Sequence, residues 1–176
     1  MGKIKDVPVH ILIDLENIEL SIHNSKESES TLLHVDIKKL VNDLIQNKQI
    51  GEHQVHVFMP LGEDSWVIPK RDKLQHFGYN VITAKKTFNG GYSKADMDAS
   101  MGTVLGIVCS QTQTQEVWLF TGDGDFIPAI RVIRNQYKDV KIKLGCVTKS
   151  TKASLFKEVE DVYVITHENE GVVKKN

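Results

Sequence analysis

The chain has 176 residues, 40 % of them hydrophobic and 26 % charged, with a formal net charge of −1. That size and balance describe one globular domain with a full-sized core, and exclude a disordered or fibrous chain. No apolar run is long enough to cross a bilayer. The lysines before Val7 lead into a stretch broken by Pro8, His10 and Asp14, which is not a signal peptide. Asp6 stands where an N-myristoylation motif wants Ser or Thr. A cytoplasmic protein with no membrane contact is the expectation.

Val7–Ile13 is apolar and β-branched and reads as a buried strand. Residues 21–33, rich in Ser and Glu, read as a loop or insertion after a short helix. His34–Asn47 carries apolar residues near helical spacing, and Gln54–Met59 is a second strand closed by Pro60. Asp64–Phe77 is helical, with Pro69 kinking it or marking its start and Gly78 ending it. Tyr79–Ala84 is a third strand, and residues 87–93 (TFNGGYS) form a flexible loop. Then follow a helix over Ala95–Ser110, a strand over Glu116–Phe120, a helix over Phe126–Tyr137 and a strand over Val140–Val147. A short helix at Lys152–Lys157 and a small strand at Val162–Ile165 complete a single domain over residues 1–166, with a mobile tail over 167–176. Strands alternating with helices imply a three-layer α/β/α sandwich with a mainly parallel sheet. Ligands collect at the carboxyl ends of such strands.

Acids arrive at that edge from three places. Asp14 is the first polar residue after the opening strand, with Asn17 one turn on; Asp123 and Asp125 follow the fourth strand in TGDGDF; Asp96 and Asp98 open a helix in KADMD. Each Asp singly also suits a helix N-cap. Together they supply more acids than caps require, and clustered carboxylates raise one another's pKa unless a cation neutralises them. Hard oxygen donors suit Mg²⁺ or Mn²⁺. Cys109 and Cys146 form no ligand-like pair and read as buried thiols. Among the seven histidines only His53 and His56 are close in sequence, on opposite faces of a strand, so a zinc site is not expected. Charge is uneven: residues 1–30 hold three Lys/Arg and six Asp/Glu, whereas seven basic residues and one acid lie between Arg131 and Lys152. A local basic surface suits phosphates.

The segments ILIDLEN, KADMD and LFTGDGDFIPAIRVIR, then VKIKLGCV and DVYVI, resemble in order the NYN domain of PIN-like nucleases, with the LabA-like branch nearest. The resemblance implies a metal-dependent ribonuclease with RNA as partner. It maps the family's acids onto Asp14, Asp96, Asp123 and Asp125 as metal ligands, with Asn17 beside them. One residue rather than two separates Lys94 from the following acid, which leaves Asp98 as an alternative to Asp96. The two lie roughly 200° apart on a regular helix. Gly102 stands where a further acid is often found, and residues 21–33 look longer than usual, like a flap over the site. Asn17 and Thr121 are expected to orient water or a phosphate oxygen. Lys94, Arg131 and Arg134 are candidates to contact the RNA backbone, with plain surface solvation as the competing reading. Tyr92 reads as an ordinary loop tyrosine, with stacking on a base as the alternative. Trp118 and Phe126 are expected in the core. Two other readings compete. One is a non-catalytic RNA-binding or scaffold protein on the same fold. The other is a HAD-like phosphatase, whose second acid would be Glu16. Self-association stays open.

Overall fold

The computed structural model describes residues 2–24, 33–61, 67–89, 92–95, 97–165 and 173–175. In chain order they form β1 (Val9–Asp14), α1 (Leu15–Asn24), β2 (Leu33–Val35), α2 (Ile37–Lys48), β3 (His53–Leu61), α3 (Val67–His76), β4 (Asn80–Asn89) and β5 (Tyr92–Ala95). There follow α4 (Met97–Cys109), β6 (Glu116–Phe120), α5 (Ile127–Gln136), β7 (Lys141–Cys146), β8 (Val162–Val164) and β9 (Val173–Lys175), with 3-10 turns at Gly124–Phe126 and Leu155–Lys157.

The main sheet runs β5-β4-β3-β1-β6-β7-β8. All neighbours are parallel except β5, which is antiparallel on β4. β1 is buried along its whole length because helices cover both faces. Ile11 and Ile13 pack with Ile18, Ile22, Leu40 and Leu44 from α1 and α2. Leu12 turns the other way, into a cluster with Met101 and Leu105 of α4 and Ile130 of α5. This is the expected three-layer α/β/α sandwich. Each such side chain contributes about 1.5–3 kcal/mol when fully buried. Trp118 and Phe126 lie in the core as expected, and so do both cysteines.

Several local expectations change. β3 does not close at Met59 but continues through Pro60 to Leu61. Its pairing with β1 ends at Asp14 and Phe58, so a residue without an N–H is tolerated beyond that point. Residues 87–89 and 92–93 are not a loop: β4 and β5 make a hairpin that pairs Asn89 with Tyr92. The helix expected from His34 starts at Ile37, because Leu33–Val35 pairs as a strand with β9 and Asp36 caps α2. β9 falls within the expected mobile tail. Pro69 sits in the first turn of α3, and Gly78 past its end has φ +84°. Of the insertion proposed over 21–33, residues 21–24 extend α1 and Leu33 opens β2; the part expected as a flap lies outside the described residues.

Candidate active site at the carboxyl edge

The sheet places β1 between β3 and β6. The chain moves outward from β1 through β3 to β4, then crosses back to lay β6 on the other side of β1. Strand order therefore reverses between β1 and β6, the position where open α/β sheets gather ligands. Ile13 pairs with Phe120 across that boundary, so the next residues, Asp14 and Thr121, stand side by side at its carboxyl end.

Asp14 is only 6 % exposed. Burial pushes its carboxyl up to about 7, against the opposing hydrogen bond from the Asn17 N–H. The carboxylates of Asp98, Glu16 and Asp123 raise it further, Asp98 most among them. Charges from the starts of α1 and α4 and from the end of β6 thus act on one buried group.

Short-range bonds shape this edge. Asp14 Oδ1 accepts the Asn17 N–H at 3.1 Å, capping α1, and Asn17 Oδ1 accepts the Gly122 N–H at 2.7 Å. Asp123 Oδ1 accepts the Asp125 N–H at 2.9 Å and so caps the 3-10 turn that leads into α5. Capping takes one oxygen of each carboxylate, so it does not compete with metal binding through the other. Asp125 is no cap; its side chain is 71 % exposed. Thr121 is fully buried, and its Oγ1 accepts the Asp123 N–H at 3.1 Å, which ties it into the loop carrying Asp123.

The basic candidates divide. Arg131 contacts Glu158 Oε1 through Nε at 3.0 Å and Nη2 at 2.6 Å. Arg134 Nη1 donates to the Glu158 carbonyl at 3.2 Å. Both arginines are directed to Glu158 rather than to the aspartates. The backbone of Lys94 pairs with Thr87 in the hairpin, with Tyr92 two residues before it; the side chains of both, and the whole of Asp96, lie outside the described residues. Asp98 is partly buried in the first turn of α4.

Two features escaped the sequence reading. Lys152 was only one of a basic run, yet its N–H donates to the Gly122 carbonyl at 3.2 Å, on the loop carrying Asp123. His10 and His56, which looked scattered, meet in the interior with Nδ1 and Nε2 3.1 Å apart, and Asn80 Nδ2 donates to His56 Nδ1 at 3.1 Å. Alternation along β1 and β3 could have suggested the second.

Among the described residues, no three His, Cys, Asp or Glu side chains form a metal-holding group. The donor chemistry fits a hard divalent cation nonetheless. Asp14, Asp98 and Asp123 are oxygen donors, the charges of the latter two act on the first, and a buried carboxyl raised to about 7 gains its charge most readily beside a cation.

A family model described as the NYN domain matches residues 8–168, nearly the whole chain. A crystal structure of a protein of unknown function from Vibrio parahaemolyticus shares the fold at a TM-score of 0.73, with 18 % identity over 95 % of this chain and 98 % of that one. No curated protein matches the chain. Among the described residues, no helix is long and apolar enough to cross a membrane.

Proposed function

The chain belongs to the NYN domain family, and on that premise we propose that it is a metal-dependent ribonuclease of the LabA-like kind. One observation carries the reading: at the point where strand order reverses, a buried Asp14 is held near pKa 7 with Asp98 and Asp123 acting on it. An unused acid has little reason to be kept there, because burying a charge without a partner is costly.

A bound Mg²⁺ or Mn²⁺ would supply Lewis acidity, polarising the scissile phosphodiester and stabilising charge on the departing oxygen. Asp14 and Asp123, together with Asp96 or Asp98, would hold it, and Asp125 stands at the exposed rim. Asn17 locks Asp14 and the Gly122 backbone in register. Thr121 orients the Asp123 amide. Lys94 is the candidate phosphate contact two residues before Asp96 in the chain. No histidine base or serine nucleophile is required.

The test is cleavage of end-labelled single-stranded RNA with Mn²⁺. Asp14→Asn and Asp123→Asn should each reduce it to background, and mutants purified identically exclude a contaminating ribonuclease. Unchanged cleavage by both variants overturns the proposal. Gly102, where a further acid is often found, favours a second reading, a non-catalytic RNA-binding module. RNA bound in Mn²⁺ but never shortened would select it. With the family match in hand, the HAD-like phosphatase reading rests on two short motifs alone.

A further inference from the structure

Resting on the nuclease reading above, we propose that Lys152 is the residue that grips an RNA phosphate beside the aspartate edge, seated there by the bare backbone of Gly124. The turn after β7 is fastened to the loop after β6. The Lys152 N–H donates to the Gly122 carbonyl at 3.2 Å, and Thr151, itself buried, donates from Oγ1 to the Val147 carbonyl at 2.8 Å. A Cβ on Gly122 would meet Thr151 Oγ1 at 3.3 Å and the Ser150 carbonyl at 3.4 Å, which shows how closely the two loops pack.

Against this fastened backbone the Lys152 side chain lies directly over Gly124. A Cβ at that position would stand 2.2 Å from Lys152 Cδ and 3.2 Å from Nζ. The ammonium is 3.9 Å from Asp125 Oδ1, with the two side chains 64 % and 71 % exposed. An exposed pair at that separation binds weakly and yields readily to a phosphate. The need for a cation here is electrostatic. Asp14, Asp98, Asp123 and Asp125 repel a polyanion, and Arg131 and Arg134 are directed to Glu158. Lysine is a compact point charge that accepts a phosphate at many angles, so it suits contact with the RNA backbone irrespective of sequence.

Gly124 makes the idea testable without touching the ammonium. Its φ does not lie in the positive range, so alanine suits the backbone, and the clash is with a flexible side chain that must swing away. Binding of a fluorescein-labelled oligouridylate in metal-free buffer is followed by anisotropy, alongside steady-state cleavage with Mn²⁺. Lys152→Ala should weaken binding several-fold and lower the slope of log affinity against log salt by about 0.7. It should also raise KM more than it lowers kcat, and Lys152→Arg should restore most of the loss. Gly124→Ala should weaken binding in the presence of Lys152 and change nothing further in the Lys152→Ala background. Unchanged affinity and salt slope in Lys152→Ala, an equal Gly124→Ala loss in both backgrounds, or no RNA affinity in the wild type each overturns the assignment. A wild type that binds RNA without cutting it sinks the nuclease reading alone. A cutting enzyme indifferent to Lys152→Ala sinks only this inference.

Discussion

Asn17 bonds in two directions: its side-chain oxygen accepts the Gly122 N–H at 2.7 Å while its own N–H is donated to Asp14 at 3.1 Å. One residue therefore couples the ends of β1 and β6. Asn17→Ala removes the first bond and leaves the Gly122 amide without that partner, at a cost of about 1–3 kcal/mol. Loss of such a supporting contact should reduce cleavage roughly 10–100-fold. Urea titration and kcat/KM with Mn²⁺ check the two effects separately.

Asp14→Asn should make the metal-free protein more stable while abolishing cleavage. The folded pKa near 7 exceeds the unfolded value, so the favourable contribution is present below about pH 4 and lost as pH rises through about 7. Asparagine has no charge to bury. The gain should be about 2–4 kcal/mol at mildly alkaline pH and vanish near about pH 4. Melting curves across that range decide it, and a variant no more stable at alkaline pH than at acid pH contradicts the account.

Cation binding must displace the Asp14 proton below its pKa. Mn²⁺ affinity should therefore climb as pH rises toward about 7 and level off above it, with proton release on binding. Calorimetry in two buffers of different ionisation enthalpy measures that proton directly.

Among the described residues, Asp98 is the mid-chain acid whose charge acts on Asp14, and Asp96 lies outside them. Asp98→Asn should weaken Mn²⁺ binding at least roughly tenfold, in the range seen when groups that tune a site are removed. It should also lower the pH at which binding levels off. Those effects in Asp96→Asn alone would return the role to Asp96.

The buried His10–His56 contact should make the protein sensitive to acid. Burial, with the neighbouring His10, pulls His56 down to about 3, and burial lowers His10 as well. Unfolded histidine takes up a proton below about pH 6.5 whereas His56 does not until far lower, so stability is present above that pH and is lost as pH falls toward about 3, and the lowered His10 contributes in the same sense. His56→Leu should flatten the dependence of the urea midpoint on pH between those limits, even if the variant is less stable throughout.

Much of this was legible in the residues. Period and composition marked β1, β6 and α5 closely, and the rule about strand ends located Asp14 and Asp123, because those signals are local. What failed depended on distant partners. Residues 87–89 and 92–93 look like a flexible loop until β4 and β5 pair along them, and His34 and Val35 look like the start of a helix until β9 lies beside them. The contacts of Arg131 and Arg134 with Glu158 were not legible either, because Glu158 is remote in sequence. That the Thr121 hydroxyl accepts the Asp123 N–H within its own loop was likewise not legible in the residues. Lys152 gained meaning only from the surface of Gly124 beneath it.

The pairing of Ile13 with Phe120 also bears on how the molecule assembles. The strands that carry Asp14 and Asp123 are adjacent in space yet separated by most of the chain, and such non-local pairings form slowly because loop closure precedes their reward. β3 and β4 can gather around β1 while the mutually repelling acids are still far apart. The electrostatic penalty of the finished edge is thereby postponed until β6 docks.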